Sequence, residues 1–188
     1  MTPRAGITHN DIIVTAIEIA NTEGLKEVTI ANLAKRLRVK SPSLYNHIKG
    51  LPDIMNLLTL RALESLYQLL KKAIMEGEKA ETIHNLSFAY LTYAREQPGL
   101  YMLTIESASK KGEEIQTAAN QIIQLLIEVL KPYDLNEEET IHAIRGLRSI
   151  LHGFASIENQ QGFGMPIEVD KSFHYLVSTF IEGLEKHS

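Results

Sequence analysis

Apolar residues recur along this chain at intervals of three and four, the spacing that lines one face of an α-helix, and no run alternates as a half-buried strand would. Residues 8 to 23 predict a first helix. Thr8 is placed to cap it with Asp11 three residues on, Ile12, Ile13, Ala16, Ile19 and Ala20 line its apolar face, and Gly24 ends it. A second begins at Thr29 with Ile30, Leu33, Ala34 and Leu37 on one side. Arg38 and Val39 read as a turn. Ser41 as cap and Pro42 in the first helical position predict a third helix over 42–48. A long helix over about 52–75 carries Ile54, Leu57, Leu58, Leu63, Leu66 and Leu70. Past a looser stretch at 76–79, helices are expected at 81–96 and 113–130, with a short one between them after the Gln97-Pro98-Gly99 break. Asn136 predicts the cap of a helix that opens with Glu137, Glu138 and Glu139 and runs to 159. After a loop at 160–166, Asp170 is expected to cap the last helix, whose stripe is Phe173, Leu176, Val177, Phe180 and Ile181. The expected fold is all-α with about nine helices, and no repeat or low-complexity tract interrupts it.

With 188 residues the chain can build one sizeable core or a small headpiece on a larger body. No stretch approaches 18 consecutive apolar residues, and the opening MTPRAGITHND lacks the apolar run of a secretory signal, so a soluble cytoplasmic protein without a membrane partner is expected. Without cysteine there are no disulfides, thiolate metal sites or cysteine nucleophiles. The spacings G-x-S-x-G, H-E-x-x-H, Walker A and G-x-G-x-x-G are missing, and His142 and His152 lie ten apart rather than at the i, i+4 separation of a helical metal pair. Adjacent glutamates at 137–139 point in different directions and suit a helix start better than a metal. No catalytic residue, metal or cofactor is therefore expected. The formal net charge of −4 hides an asymmetry. Arg4, Lys26, Lys35, Arg36, Arg38, Lys40 and Lys49 outnumber Asp11, Glu18, Glu23 and Glu27, which leaves residues 1–50 at +3 and the remainder at −7. A basic front on an acidic body favours phosphate only at the front.

The second and third predicted helices, TIANLAKRLRVKSPSLYNHIKG, have the arrangement of a helix-turn-helix, in which one helix crosses a DNA backbone and the next enters the major groove. Ala34 is small where the two must approach, and Val39 and Leu44 can fill the angle between them. The same spacing also suits a compact helical corner. The segment LAKRLRVKSPSLYNHIKG resembles the DNA-binding helices of the TetR family of repressors, with Tyr45, His47 and Lys49 as the telling residues. That resemblance implies phosphate contacts by these three, with the residues before them meeting base edges. All three are hydrogen-bond donors, as phosphate contacts need. Lys40, Ser41, Pro42 and Asn46 are the candidates for base readout: lysine can donate to guanine, asparagine can pair with adenine, and proline can touch a thymine methyl. Ser43 and Thr29 are expected to donate to phosphate, and Arg4 can reach a minor groove. For Ser41 a capping role competes with readout, and for His47 a packed surface imidazole is the alternative. Arg38 stands where the family often has glycine, so a tighter or differently wound turn is expected. Asn46 replaces a common bulky aromatic, and Gly50, Leu51 and Pro52 replace a more polar helix start.

The resemblance divides the chain into a helix-turn-helix domain at 1–50 and a helical ligand-binding and dimerisation domain at 51–188. One headpiece reads few base pairs, so a homodimer on palindromic double-stranded operator DNA is expected. Its interface is expected from Gly146, Ile150, Gly153, Phe154 and Ile157 with Phe173, Leu176, Val177, Phe180 and Ile181, with an ordinary intrachain core as the alternative. The stretch GLRSILHGFASIE also resembles a TetR subfamily with a His-Gly pair, here His152 and Gly153, although Arg148 stands where a tryptophan is common. The resemblance implies a sensor pocket among the fourth to eighth helices. Tyr67, His84, Phe88, Tyr93, Tyr101, Met102 and His152 are the candidates, a set suited to a small hydrophobic or aromatic effector, each with plain core as its alternative. A helical scaffold without DNA binding and, further off, an all-α enzyme are the rival readings.

Overall fold

The structure is a computed structural model and describes residues 6–74, 79–107 and 112–186. Among them the secondary structure is helical throughout, with no strand, as the periodicity predicts. The helices are α1 (His9–Thr22), α2 (Ile30–Leu37), α3 (Ser41–Leu44), α4 (Leu51–Ala73), α5 (Lys79–Glu96), α6 (Pro98–Glu106), α7 (Glu113–Leu130), α8 (Glu137–Asn159) and α9 (Val169–Glu185). Single 3₁₀ turns lie at Leu25–Glu27 and Lys131–Tyr133. No helix of the described residues is long and apolar enough to cross a membrane.

Local chemistry sets most of these boundaries. Thr8 and Asp11 form a reciprocal box at the start of α1: the Asp11 amide donates to Thr8 Oγ1 at 3.2 Å, and the Thr8 amide donates to the Asp11 carboxylate at 2.7 Å. Asn136 and Glu139 build the same box for α8. The chain leaves α1 through Gly24, whose φ of 98° is open to glycine. The start of α9 departs from the sequence expectation. Glu168 occupies the cap position without a side-chain bond, and Asp170 lies inside the first turn. Its carboxylate accepts instead from the Arg95 guanidinium, which also bonds Glu158 in two-pronged fashion at 2.9 and 2.6 Å.

The described residues pack as two units. The first holds the residues up to Glu64 together with those of Gln97–Thr117; the second holds Ser65–Glu96 and those from Ala118 onward. In the first, α1 lies against α2 and α6, and α2 against α3. The first unit includes α6, whose Leu100, Tyr101 and Leu103 are buried while Met102 and Glu106 stay exposed. In the second unit α5, α8 and α9 pack on one another. Phe173 sits at their centre, 5.1 Å from the Phe88 ring and 4.8 Å from Phe154. That explains the wide apolar stripe of α9, which serves two neighbours in its own chain.

Candidate nucleic-acid interface

The turn between α2 and α3 has the closure that commonly ends helices. The Val39 amide donates to the Ala34 carbonyl at 3.0 Å and the Arg38 amide to the Lys35 carbonyl at 3.2 Å. Closing it places Arg38 at φ 56°, ψ 41°, in the left-handed region. The turn is thus neither tighter nor differently wound than one with glycine; the arginine carries the strain. Leu33 and Ala34 of α2 are buried below it, and Thr29 caps α2 by accepting from the Asn32 amide at 3.1 Å. Its hydroxyl hydrogen remains available to a phosphate.

Helix α3 is shorter than predicted and starts earlier. It spans four residues, Lys40 holds the cap position without a side-chain bond, and Tyr45 to His47 continue as a turn. The His47 and Ile48 amides both return to the Leu44 carbonyl, at 2.9 and 3.1 Å. Ser41 is therefore not a cap, which removes one of the two roles open to its hydroxyl. Leu44 and Ile48 are buried and hold the segment down, so the residues between and around them face outward. Lys40, Pro42, Tyr45, Asn46, His47 and Lys49 are exposed, and Ser41 and Ser43 are half-buried. Tyr45 is 57% exposed, a large aromatic left in water. The residues from Lys40 to Lys49 expected to meet DNA are thus exposed or half-buried around the two buried anchors. Arg4 lies outside the described residues.

Two polar networks fix this surface, and the motif reading contained neither. The Lys49 amide donates to the Asp53 carboxylate at 3.0 Å, and the chain then enters α4 through Gly50 at φ 130°. The signal was the acidic residue three places after Gly50, the spacing of a helix cap. On the far side of α2, Glu23 accepts from Asn32 at 3.2 Å and pairs with Arg36. The bonds from Asn32 and then Arg36 hold the Glu23 carboxyl below the usual carboxylate range. Arg36 is thereby committed to the headpiece, while Lys35 and Arg38 are exposed.

The effector candidates fall in both units. Tyr67, His84, Phe88, Tyr93 and His152 belong to the second, and Tyr101 and Met102 to the first. Tyr101 is 1% exposed and Met102 44%, so neighbours on α6 have opposite environments. Tyr93 is buried, its hydroxyl 2.8 Å from Ser65 Oγ, and burial pushes its pKa up to about 12. His84 stacks on His174 at 4.3 Å and shares a 3.2 Å hydrogen bond with Ser178. None of the seven lines the groove of about 370 Å³ at the start of α8, which is bounded by Glu137, Glu138, Ile141, His142 and Arg145. No group of three metal-ligating side chains occurs among the described residues.

The dimer candidates divide by burial. Phe154, Phe173, Val177 and Ile181 are buried in the core of the second unit. Within the chain their stripe is covered where α5, α8 and α9 pack together. Gly146 is covered by Phe180, whose ring would stand 3.4 Å from an added Cβ, whereas Gly153 has open space. Ile150, Leu176 and Phe180 are half-buried and Ile157 is exposed.

Residues 83–180 match the family model described as the tetracyclin repressor-like C-terminal domain. Over 185 residues the chain is 36% identical to the HTH-type transcriptional regulator YobS of Bacillus subtilis, covering 98% of this chain and 96% of that one. Among solved structures it is similar to a protein from Rhodococcus sp. RHA1, with a TM-score of 0.84 at 17% identity over 98% of this chain and 100% of that one. It is also similar to BioQ with its double-stranded DNA operator, with a TM-score of 0.69 at 18% identity over 95% of this chain and 98% of that one. The Mycobacterium smegmatis protein of that name has the same fold.

Proposed function

The chain belongs to the TetR family of transcriptional regulators, and from that premise we propose that it is a repressor: two copies bind a palindromic operator and a small effector releases them. The observation that carries the reading is the surface from Lys40 to Lys49, where donors of three kinds stand exposed over two buried anchors, Leu44 and Ile48. Tyr45, His47, Lys49, Ser43 and Thr29 donate to phosphates and so set register. Lys40, Ser41, Pro42 and Asn46 read base edges, and the hydroxyl of Ser41 is not taken up by capping α3.

The second copy docks on the outer side of α8 and α9, on Gly146, Ile150, Gly153, Ile157, Leu176 and Phe180. Half-sites one DNA turn apart, roughly 34 Å, follow from the twofold symmetry. The effector is small and hydrophobic or aromatic, met by Tyr67, His84, Phe88 and Tyr93 of the second unit, with His152 as a further polar contact. It lowers operator affinity through a coupling of about 1–3 kcal/mol, roughly 5- to 150-fold. The protein works in the cytoplasm, where the DNA is, and we assign it no catalytic activity.

The test is selection of genomic fragments by the purified protein at two salt concentrations. The expected result is one enriched palindrome whose binding weakens steeply with salt. Tyr45→Ala and Lys49→Ala should lower affinity for every sequence alike, and Asn46→Ala should change base preference. No enrichment at low salt, or variants that bind as the parent does, would overturn the reading.

A further inference from the structure

A single side chain at the end of α1 holds the beginning of α6. Asn21 Oδ1 accepts from the Gly99 amide at 3.0 Å and from the Leu100 amide at 3.3 Å, two of the amides that a helix start leaves without partners. Asn21 Nδ2 donates to Gln97 Oε1 at 2.5 Å. Gln97 occupies the cap position of α6 but makes no capping bond of its own, so the cap of α6 is supplied by another helix. The backbones also touch. A Cβ on Gly99 would stand 2.2 Å from the Ala20 carbonyl oxygen and 2.3 Å from its carbon, so only glycine lets α6 come this close to α1.

We infer that Asn21 is a positioning residue for operator binding: it makes α6 part of the DNA-reading unit, so that where α6 stands decides where α1 and the helix-turn-helix stand. The inference rests on the operator reading above and adds the joint through which it is governed. Directional hydrogen bonds and backbone contact leave α6 no way to slide along α1 by small side-chain adjustments; such packed joints take discrete positions. α1 lies in turn against α2, which carries the turn into α3. The chain enters α6 directly from α5, with Gln97 alone between the two helices. Movement of that junction therefore reaches the reading surface through Asn21.

Linkage makes this testable without the effector, because whatever joins α6 to operator binding works in both directions. Amide hydrogen exchange at Gly99 and Leu100 is measured in the full-length protein, alone and with a duplex carrying the selected palindrome. Exchange there should slow several-fold on adding the duplex, about 5-fold or more. In Asn21→Ala the slowing should vanish and operator affinity should fall about tenfold, while Asn21→Asp, which keeps the acceptor for both amides, should restore both. A parent protein that binds the duplex with unchanged exchange in α6 would overturn the joint alone, and this arm needs no variant to fold. A parent that binds no duplex would overturn the operator reading and the joint together. Retention of affinity and protection by Asn21→Ala would also overturn the joint.

Discussion

Arg38 is an arginine in the conformation that glycine adopts without cost. Holding an L-residue in the left-handed region costs roughly 1–2 kcal/mol, and part of the gain from a glycine is returned through its greater loss of chain entropy on folding. We predict that Arg38→Gly raises the stability of the DNA-free protein by up to about 1 kcal/mol, read from urea unfolding at fixed protein concentration; a loss of stability would mean that the arginine side chain stabilises the turn. The departure from glycine was visible in the sequence, but its consequence was not, because the two backbone bonds that hold the turn are properties of the closed motif. Asn21 was not visible at all, since its partners lie 76 to 79 positions along the chain. His84 carries a second prediction. Burial, and after it the neighbouring His174, lower its pKa from the ordinary 6.5. Between the lowered folded value and 6.5 the unfolded chain holds the larger share of a proton, so stability rises with pH through that window and is flat above it. Acidification from about pH 7.5 to about pH 5.5 should thus destabilise the parent more than His84→Gln; equal slopes for the two proteins would refute the assignment.

Helices differ in what maintains them. α1 and α8 start with reciprocal boxes that the sequence spells out in full, and their predicted and observed starts agree. α3 has four residues and no side-chain cap, too little for a helix to persist by itself. Its conformation depends on Leu44, which is wholly buried. Leu44→Ala is expected to cost about 2–5 kcal/mol and to abolish operator binding through loss of the surface above it. A peptide of residues 38–50 should show no helix by circular dichroism, and helix in that peptide would shift the explanation back to local propensity. This dependence is why the third helix is shorter than its sequence suggests: the motif sets its location, and tertiary anchoring sets its extent. α9 shows the same limit from the other side. Periodicity marks Phe173 and Val177 as apolar, yet an apolar stripe does not say whether its cover is the same chain or a second one. The placement of α5 and α8 supplies the cover within this chain.

At the scale of the whole molecule, charge and packing divide the chain at different places. Packing draws the first unit through Glu64 and adds α6, whereas the net charge of +3 belongs to residues 1–50 and the remaining −7 lies beyond them. The negative remainder repels DNA, so attraction must come from a few local cations, and the salt dependence of binding counts them. Arg36 is already paired with Glu23, which leaves Lys35, Arg38, Lys40 and Lys49 as the other exposed cations of residues 30–50. Each phosphate neutralised releases counterions worth about 0.9 in the slope of log K against log salt. In the proposed dimer every substitution counts twice, so Lys49→Ala should flatten the slope by about 2. Tyr45→Phe removes a neutral donor from the same surface and should lower affinity at every salt concentration while leaving the slope unchanged. If Tyr45→Phe flattened the slope as much as Lys49→Ala, salt would be reporting a rearranged headpiece rather than lost ion contacts. If neither changed it, binding would be driven by cations outside the surface from Lys40 to Lys49, and the roles given to that surface would have to be reassigned.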